Sequence, residues 1–354
     1  MTRVPSVSHW PASVADRAEV PLERIASFLT GQLPQVRPPL RFTRLAGGNS
    51  NLTYRVQDTS GASWVLRRPP VGSALATAHD VLREARVLRA LAASPVPVPR
   101  VLLTCEQEAV DPAPFVLMEY VEGLACAGAA DAASLTAVQR HAVGLRMART
   151  LADLHRVNPD AVGLGDLGRR EGYVQRQLAR WHTQWHADRQ RPLPALQAAY
   201  DRLLARVPAQ RRVALVHGDF RLDNCIIGDD AAVHAVLDWE ICALGDPLAD
   251  LGVLLAYWAE PGDELCALQD PPTLAGGFPS RAELLSAYLA ATGRDPGENV
   301  DFFVAFAWWK LACIVEGVYS RATRTPPATG RTAQSYADQA ARLAGHALEL
   351  TAAL

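Results

Sequence analysis

The run His217-Gly218-Asp219-Phe220-Arg221-Leu222-Asp223-Asn224 sets an aspartate five residues ahead of an asparagine, and 14 residues after that asparagine comes Asp238, in Leu237-Asp238-Trp239-Glu240. Carboxylate and amide oxygens spaced this way, on a loop between short apolar runs, can bring a proton acceptor and oxygen ligands for a hard cation to one side of a site. Phosphoryl transfer asks little more of a protein: one carboxylate to orient a hydroxyl and take its proton, and oxygens to hold Mg²⁺ on a triphosphate. Asp219 is then the catalytic base. Asn224 is the first metal ligand, and Asp238, closing the apolar run Ala235-Val236-Leu237, is the second. The competing structural reading is an Asx-rich turn leading into a hairpin. Two independent pieces in the right order weigh against it, and the Asp-to-Asn spacing equals that of the protein-kinase catalytic loop.

The elements that must position these residues fall into two groups. A helix is predicted around Leu22–Leu33, closed by Pro-rich QVRPPL. Two strand-like runs follow, RFTRLAGGNSNLTYRV and SWVLRRPP, joined by a polar turn at Asp58–Gly61. In HDVLREARVLRAL, Val81, Leu82, Ala85, Leu88 and Leu91 recur at helical spacing. After the breaker SPVPVPR come two more strand candidates, RVLLTCEQ and APFVLMEYV. Beyond Gly123 long Ala/Leu-rich helices are expected at 134–156, 171–189 and 194–206, then a β-like patch carrying both aspartates, then helices again from Asp246, interrupted by the Gly/Pro-rich 260–281. This predicts an α+β fold of two lobes: residues 1–118 as an antiparallel-sheet nucleotide lobe, 119–123 as a hinge, and 124–354 as a helical lobe with the catalytic loop, metal site and acceptor pocket.

Composition is that of a globular chain, 49% hydrophobic and 20% charged. A net charge of −2 gives no global field for nucleic acid or an anionic membrane. The charge is uneven, +4 over residues 1–118, 0 over 119–240 and −6 over 241–354. A cationic acceptor bound in the last third would suit that gradient, and solvated helix faces suit it better. Six scattered cysteines without paired spacing read as buried free thiols in a reducing compartment. No apolar leader opens the sequence and no run is expected to reach the roughly 18 apolar residues of a membrane span, so a cytoplasmic, non-membrane protein is expected. No feature sets an oligomeric state. Of 35 basic residues, 34 are arginine, and Lys310 is the one lysine.

HGDFRLDN with LDWE resembles the aminoglycoside phosphotransferase family, which shares the protein-kinase fold. SWVLRRPPVGSALATAHDVLREARVLRAL, YVQRQLARWHTQW, GDPLADLG and GGFPSRAELLSAYLAATGRD are similar to the branch found beside, or fused to, acyl-CoA dehydrogenases. The resemblance covers nearly all of residues 40–325 and implies an ATP- and Mg²⁺-dependent small-molecule kinase. It makes Ala46-Gly47-Gly48-Asn49-Ser50-Asn51 the nucleotide loop, where glycines let backbone N–H groups approach phosphate and Asn49 and Ser50 add donors. Protein kinases carry a phosphate-binding lysine on the third strand. Here the V-A-I-K pattern aligns with Trp64-Val65-Leu66-Arg67, so Arg67 becomes the phosphate-side cation and Glu84 its partner. Strand alternation sends Arg68 to the other face. Glu119-Tyr120-Val121 resembles the adenine-binding hinge, and Asp250 the aspartate that, with His217, supports the catalytic loop. Asp223 is read as a loop cap, with help to the metal as its alternative.

Other features are set aside. His182 and His186 stand i, i+4 like two zinc ligands, but no Glu holds the HExxH position and no third ligand is evident. Arg169, Arg170, Arg176 and Arg180 read as a solvated helix face ahead of a site for an anionic substrate. Phe302, Phe303, Phe306, Trp308 and Trp309 read as helix core, with one or two lining the acceptor pocket. The acceptor is read as an alcohol, a hydroxyacyl compound or its CoA thioester, or an aminoglycoside-like amino alcohol. The alternatives are a protein kinase, disfavoured because no A-P-E element follows Asp238, and a nucleotide-binding pseudokinase, supported only by the missing lysine.

Overall fold

The computed structural model describes residues 20–45, 51–70, 80–293, 295, 299–325 and 330–354. The chain divides into two compact units, residues 1–92 with 98–121, and residues 93–97 with 122–354.

In the first unit, α1 (Leu22–Gln32) is followed by β1 (Arg41–Arg44), β2 (Leu52–Gln57), β3 (Ser63–Arg68), α2 (Val81–Leu91), β4 (Val101–Cys105) and β5 (Phe115–Glu119). The strands form one antiparallel sheet in the order β1-β2-β3-β5-β4. Period-two alternation organises it. Along β3, Trp64, Leu66 and Arg68 are buried while Val65 and Arg67 are partly exposed. Trp64 and Leu66 meet Ile25 and Leu29 of α1 and Phe115 and Leu117 of β5 in a single apolar core. On α2, Val81, Ala85, Val87, Leu88 and Leu91 are buried, and the Asp80 carboxylate caps the helix by accepting the Arg83 N–H. The helix packs on β4 and β5.

The second unit holds β6 (Leu124–Ala125), α3 (Ala129–Ala132), α4 (Ala137–Arg156), α5 (Tyr173–Asp188), α6 (Pro194–Ala205), β7 (Ala214–Val216), β8 (Cys225–Ile227), β9 (Val233–Val236), β10 (Ala243–Gly245), α7 (Leu248–Tyr257), α8 (Arg281–Thr292), α9 (Val300–Ala322) and α10 (Ala333–Ala352). Two small antiparallel sheets, β10-β7 and β6-β8-β9, frame the motif residues. Capping boxes start α4 at Thr136 with Gln139 and α8 at Ser280 with Glu283. Residues 93–97, which include the first part of the SPVPVPR breaker, belong to this unit, and the Pro97 carbonyl accepts the Val236 N–H at 2.8 Å. All six cysteines are free, and five are buried.

The membrane expectation needs one correction. By length and composition α9, with 23 residues, is apolar enough to cross a membrane. Yet 67% of its most apolar window is buried inside the protein, against α7 and α10, and Lys310 and Glu316 interrupt it. Its apolar character is that of a core helix, and Phe302, Phe303, Phe306, Trp308 and Trp309 are all buried.

Candidate active site

The motif residues of the second unit are carried by a strand–loop–hairpin. Buried β7 delivers His217, a 3₁₀ turn spans Leu222–Asn224, and β8 and β9 return the chain to Asp238. The β8–β9 register pairs Cys225 with Val236, so Asn224 lies across from Leu237, whose N–H donates to the Asn224 carbonyl at 2.8 Å. Asp238 follows in a left-handed conformation, φ 65°. The Asn224 amide donates to the Asp219 carbonyl at 2.9 Å and to Asp219 Oδ2 at 3.0 Å. Asp219 and Asn224 are therefore joined directly. The Asp219 N–H donates to His217 Nδ1 at 3.2 Å, which assigns the ring proton to Nε2, and Nε2 donates to the Leu237 carbonyl at 2.8 Å. One imidazole thus ties the two motif segments together.

Gly218 needs to be glycine. Its φ is +88°, and an added Cβ would meet Ile241 Cδ1 at 2.9 Å.

Arg221 closes the loop on its other side. Its Nε donates to Asp219 Oδ2 at 3.1 Å, its Nη1 lies 2.8 Å from Asp223 Oδ2, and its guanidinium sits 5.1 Å from the Tyr257 ring centroid. Burial opposes the Arg221 charge, but the adjacent Asp219 and Asp223 carboxylates outweigh it and raise its pKa. Asp223 is pushed up to about 6, first by burial and then by the Asp219 charge, against the pull of Arg221. A small cavity beside these residues is lined by Arg221, Asp223, Leu254, Tyr257, Leu268 and Thr273.

Asp250, fully buried on α7, braces the loop from beneath. Its Oδ2 accepts the His217 N–H at 2.6 Å and its Oδ1 the Gly218 N–H at 2.7 Å. His155 Nε2 lies 3.3 Å from Oδ2, and its Nδ1 is 2.8 Å from the Tyr288 hydroxyl. Burial would raise the Asp250 pKa, yet the His155 hydrogen bond and the backbone N–H donated by Gly218 reverse that and hold it low. Asp250→Ala leaves two buried N–H donors without an acceptor. The expected loss is about 3 kcal/mol or more of unfolding free energy in urea titrations at neutral pH. Because the native pKa lies below the unfolded value of about 4, the contribution is complete above that pH and fades as pH falls through the native value. The gap between wild type and variant should therefore narrow in acid, and a gap that widens there would contradict the assignment.

In the first unit, Gly47, Gly48, Asn49 and Ser50 of the expected nucleotide loop lie outside the described residues, while Asn51 is buried. Arg67 Nη1 donates to Glu84 Oε1 at 2.9 Å, with Glu84 2% exposed. Arg68, on the opposite face of β3, is itself fully buried and donates to Asp111 Oδ1 at 2.7 Å. Glu119 ends β5 and accepts the Arg100 N–H at 3.0 Å, and the Tyr120 ring receives the Arg55 guanidinium at 4.3 Å. Val121 closes the unit.

The donor set suits a hard cation. With its amide N–H₂ committed to Asp219, Asn224 has only its Oδ1 to offer a ligand, and Asp238 adds a carboxylate. Among the described residues no group of three His, Cys, Asp or Glu forms a closed metal cage. Two oxygen ligands completed by phosphate oxygens and water is how proteins usually hold Mg²⁺. His182 and His186 instead face each other, Nε2 to Nε2 at 3.0 Å, and share Gln197 Oε1.

Three contributors were not read from the sequence. His155 and Tyr288 belong to no motif, and Lys310 lies far in sequence from both the motif and the third strand. Its Nζ donates to the Gly218 carbonyl at 2.8 Å. Its being the only lysine was the available signal.

Residues 41–298 match the phosphotransferase enzyme family. Acyl-CoA dehydrogenase family member 10 of Mus musculus is 34% identical over 335 residues, which is 94% of this chain and 31% of that protein. The chain therefore spans about a third of that relative. A putative aminoglycoside phosphotransferase from Ralstonia eutropha superposes with TM-score 0.78 at 28% identity, covering 95% of this chain and 99% of that one. The streptomycin–ATP ternary complex of APH(2″)-IIa superposes with TM-score 0.57 at 17% identity, covering 83% and 89%. The fold is the bilobal α+β fold of these kinase-like enzymes.

Proposed function

This chain belongs to the phosphotransferase enzyme family, and from that premise we propose that it is an ATP- and Mg²⁺-dependent O-phosphotransferase acting on a small hydroxylated molecule. The observation that carries this reading is the Asp219 carboxylate, held by Asn224 and Arg221 on a loop whose backbone is fixed by Asp250. Asp219 orients the acceptor hydroxyl and takes its proton as the acceptor oxygen bonds to the γ-phosphorus. The bond from that phosphorus to the bridging oxygen breaks, and ADP leaves. Asn224 and Asp238 would hold Mg²⁺, which when bound neutralises charge on the phosphates. In the first unit, Arg67, oriented by Glu84, is assigned to the α/β-phosphates, the Gly47–Asn51 loop to their cradle, and the Glu119–Val121 backbone to adenine.

ATP is the nucleotide that the family resemblance implies, with GTP as its alternative. For the acceptor, the acyl-CoA dehydrogenase name of a relative 34% identical over 94% of this chain favours a hydroxyacyl compound or its CoA thioester over an amino alcohol. A protein kinase is disfavoured because α7 begins at Leu248, ten positions after Asp238, leaving no room for an activation segment. A pseudokinase is disfavoured because Asp219, Asn224 and Asp238 are all present.

Coupled ADP release over a panel of hydroxy acids, their CoA thioesters and amino alcohols, with ³¹P detection of a phosphate ester, tests the reading. ATP binding without turnover on any member would favour the pseudokinase. Asn224→Ala and Asp238→Ala should each raise the Mg²⁺ concentration for half-maximal rate by about tenfold or more, since each removes an oxygen ligand. An unchanged Mg²⁺ requirement in Asp238→Ala would move the ligand role to another group, Glu240 first.

A further inference from the structure

In a chain that places arginine at 34 of its 35 basic positions, the one lysine lies on α9, far in sequence from the motif, and reaches the motif's own backbone. Lys310 Nζ donates to the Gly218 carbonyl at 2.8 Å. That carbonyl and the Asp219 N–H belong to the same peptide unit, and the Asp219 N–H is held by His217 Nδ1 at 3.2 Å. The plane joining Gly218 to Asp219 is therefore gripped at both ends. The preceding N–H groups, of His217 and Gly218, are gripped by Asp250. Lys310 and Asp250 come from α9 and α7, two helices packed on each other.

This grip falls where the backbone is softest. Gly218 sits at φ +88° without a Cβ, so rotation of its following peptide meets little steric resistance. Such a rotation would swing the Asp219 side chain out of line. We propose that Lys310 is a positioning residue for phosphoryl transfer, fixing the Gly218–Asp219 peptide plane and with it the aim of the Asp219 carboxylate. The inference rests on the reading of Asp219 as base.

The choice of lysine follows from the site. Lys310 is half-buried, and the burial lowers its pKa while the Asp219 and Asp250 charges pull the other way. The Trp181 ring lies 5.8 Å away. A compact point donor fits one carbonyl there. A guanidinium would bring five N–H groups in a rigid fork into the same space and leave several without acceptors. That accounts for a lysine surviving where the rest of the chain uses arginine.

The test uses the full chain with Lys310→Met, which keeps an unbranched stem and removes the charge, Lys310→Ala and Lys310→Arg. Lys310→Met should lower kcat on the acceptor by about 10²-fold, the scale of a small misplacement of a reacting group, with KM for ATP within about threefold of wild type. Methylamine should restore several-fold of the activity lost in Lys310→Ala, and Lys310→Arg should recover only part. Hydrogen exchange in the nucleotide-free protein should rise about tenfold at the 217–219 amides in Lys310→Met while the α7 amides stay unchanged. Wild-type kcat and wild-type loop exchange in that variant would overturn the proposal, as would a loss that amines do not restore. Should Lys310→Met fail to fold, Lys310→Arg carries the same comparison: loosening confined to 217–219 supports the proposal, and unchanged exchange with unchanged kcat overturns it. If wild type transfers no phosphoryl group at all, the kinase reading falls, while the exchange experiment still decides whether Lys310 fixes the loop.

Discussion

Asp219→Asn should lower kcat by about 10²–10⁴-fold, the range for a positioned proton acceptor, while leaving ATP affinity within a few-fold. The substitution is a clean one in this structure. Arg221 Nε and Asn224 Nδ2 both donate to Asp219 Oδ2, and an asparagine Oδ1 in that place accepts both. Loop geometry and melting temperature should therefore stay close to wild type, so that a lost rate reports lost basicity. Single-turnover kinetics with a saturating acceptor separate the chemical step from binding. Near wild-type turnover would remove Asp219 from the role of base and, with it, the reading of the motif.

How much of this site was legible in the sequence depended on how locally each contact is encoded. Asp219, Asn224 and Asp238 stand out because their spacing is short and chemical, and two short apolar runs flank the hairpin that joins them. The β3 alternation was equally readable, and the structure brings Arg67 to Glu84 while turning Arg68 inward. Contacts across 92 to 133 residues leave no such trace. Lys310 reaches Gly218, and the His155–Tyr288 pair reaches Asp250, only because α9 packs on α7 and α8 packs on α4. The expectation that no run reaches the length of a membrane span failed at α9, because a helix buried against two others is as apolar as a span. The SPVPVPR segment reads as a simple breaker in sequence, whereas its Pro97 carbonyl accepts the Val236 N–H of β9. The four loop residues from Gly47 to Ser50 are outside the described residues, so their proposed contact with phosphate rests on the resemblance alone.

Neighbouring arginines on β3 should separate nucleotide chemistry from stability. Arg67→Ala is expected to lower kcat/KM for ATP by about 10²–10³-fold, because it removes the charge proposed to face the phosphates. Arg67→Lys should recover only part, replacing a two-pronged contact with a point charge. Glu84→Gln should cost less than Arg67→Ala, since Glu84 orients the cation at 2.9 Å and touches no phosphate. Arg68→Ala should behave in the opposite way. The Arg68–Asp111 pair is fully buried, so deleting the cation strands a carboxylate in the interior. The expected cost is about 3–5 kcal/mol of unfolding free energy, with kcat/KM per folded molecule nearly unchanged. Double substitution of Arg68 and Asp111 by apolar residues of similar volume should restore much of that stability, as removing both members of a buried pair often does. Urea unfolding beside ATP kinetics on the same preparations distinguishes the two roles. A stable Arg68→Ala that loses kcat/KM, beside a silent Arg67→Ala, would place the phosphates on the other face of β3. If neither arginine affects kcat/KM, the phosphates are held by the Gly47–Asn51 backbone and Mg²⁺, and the absent third-strand lysine has no replacement.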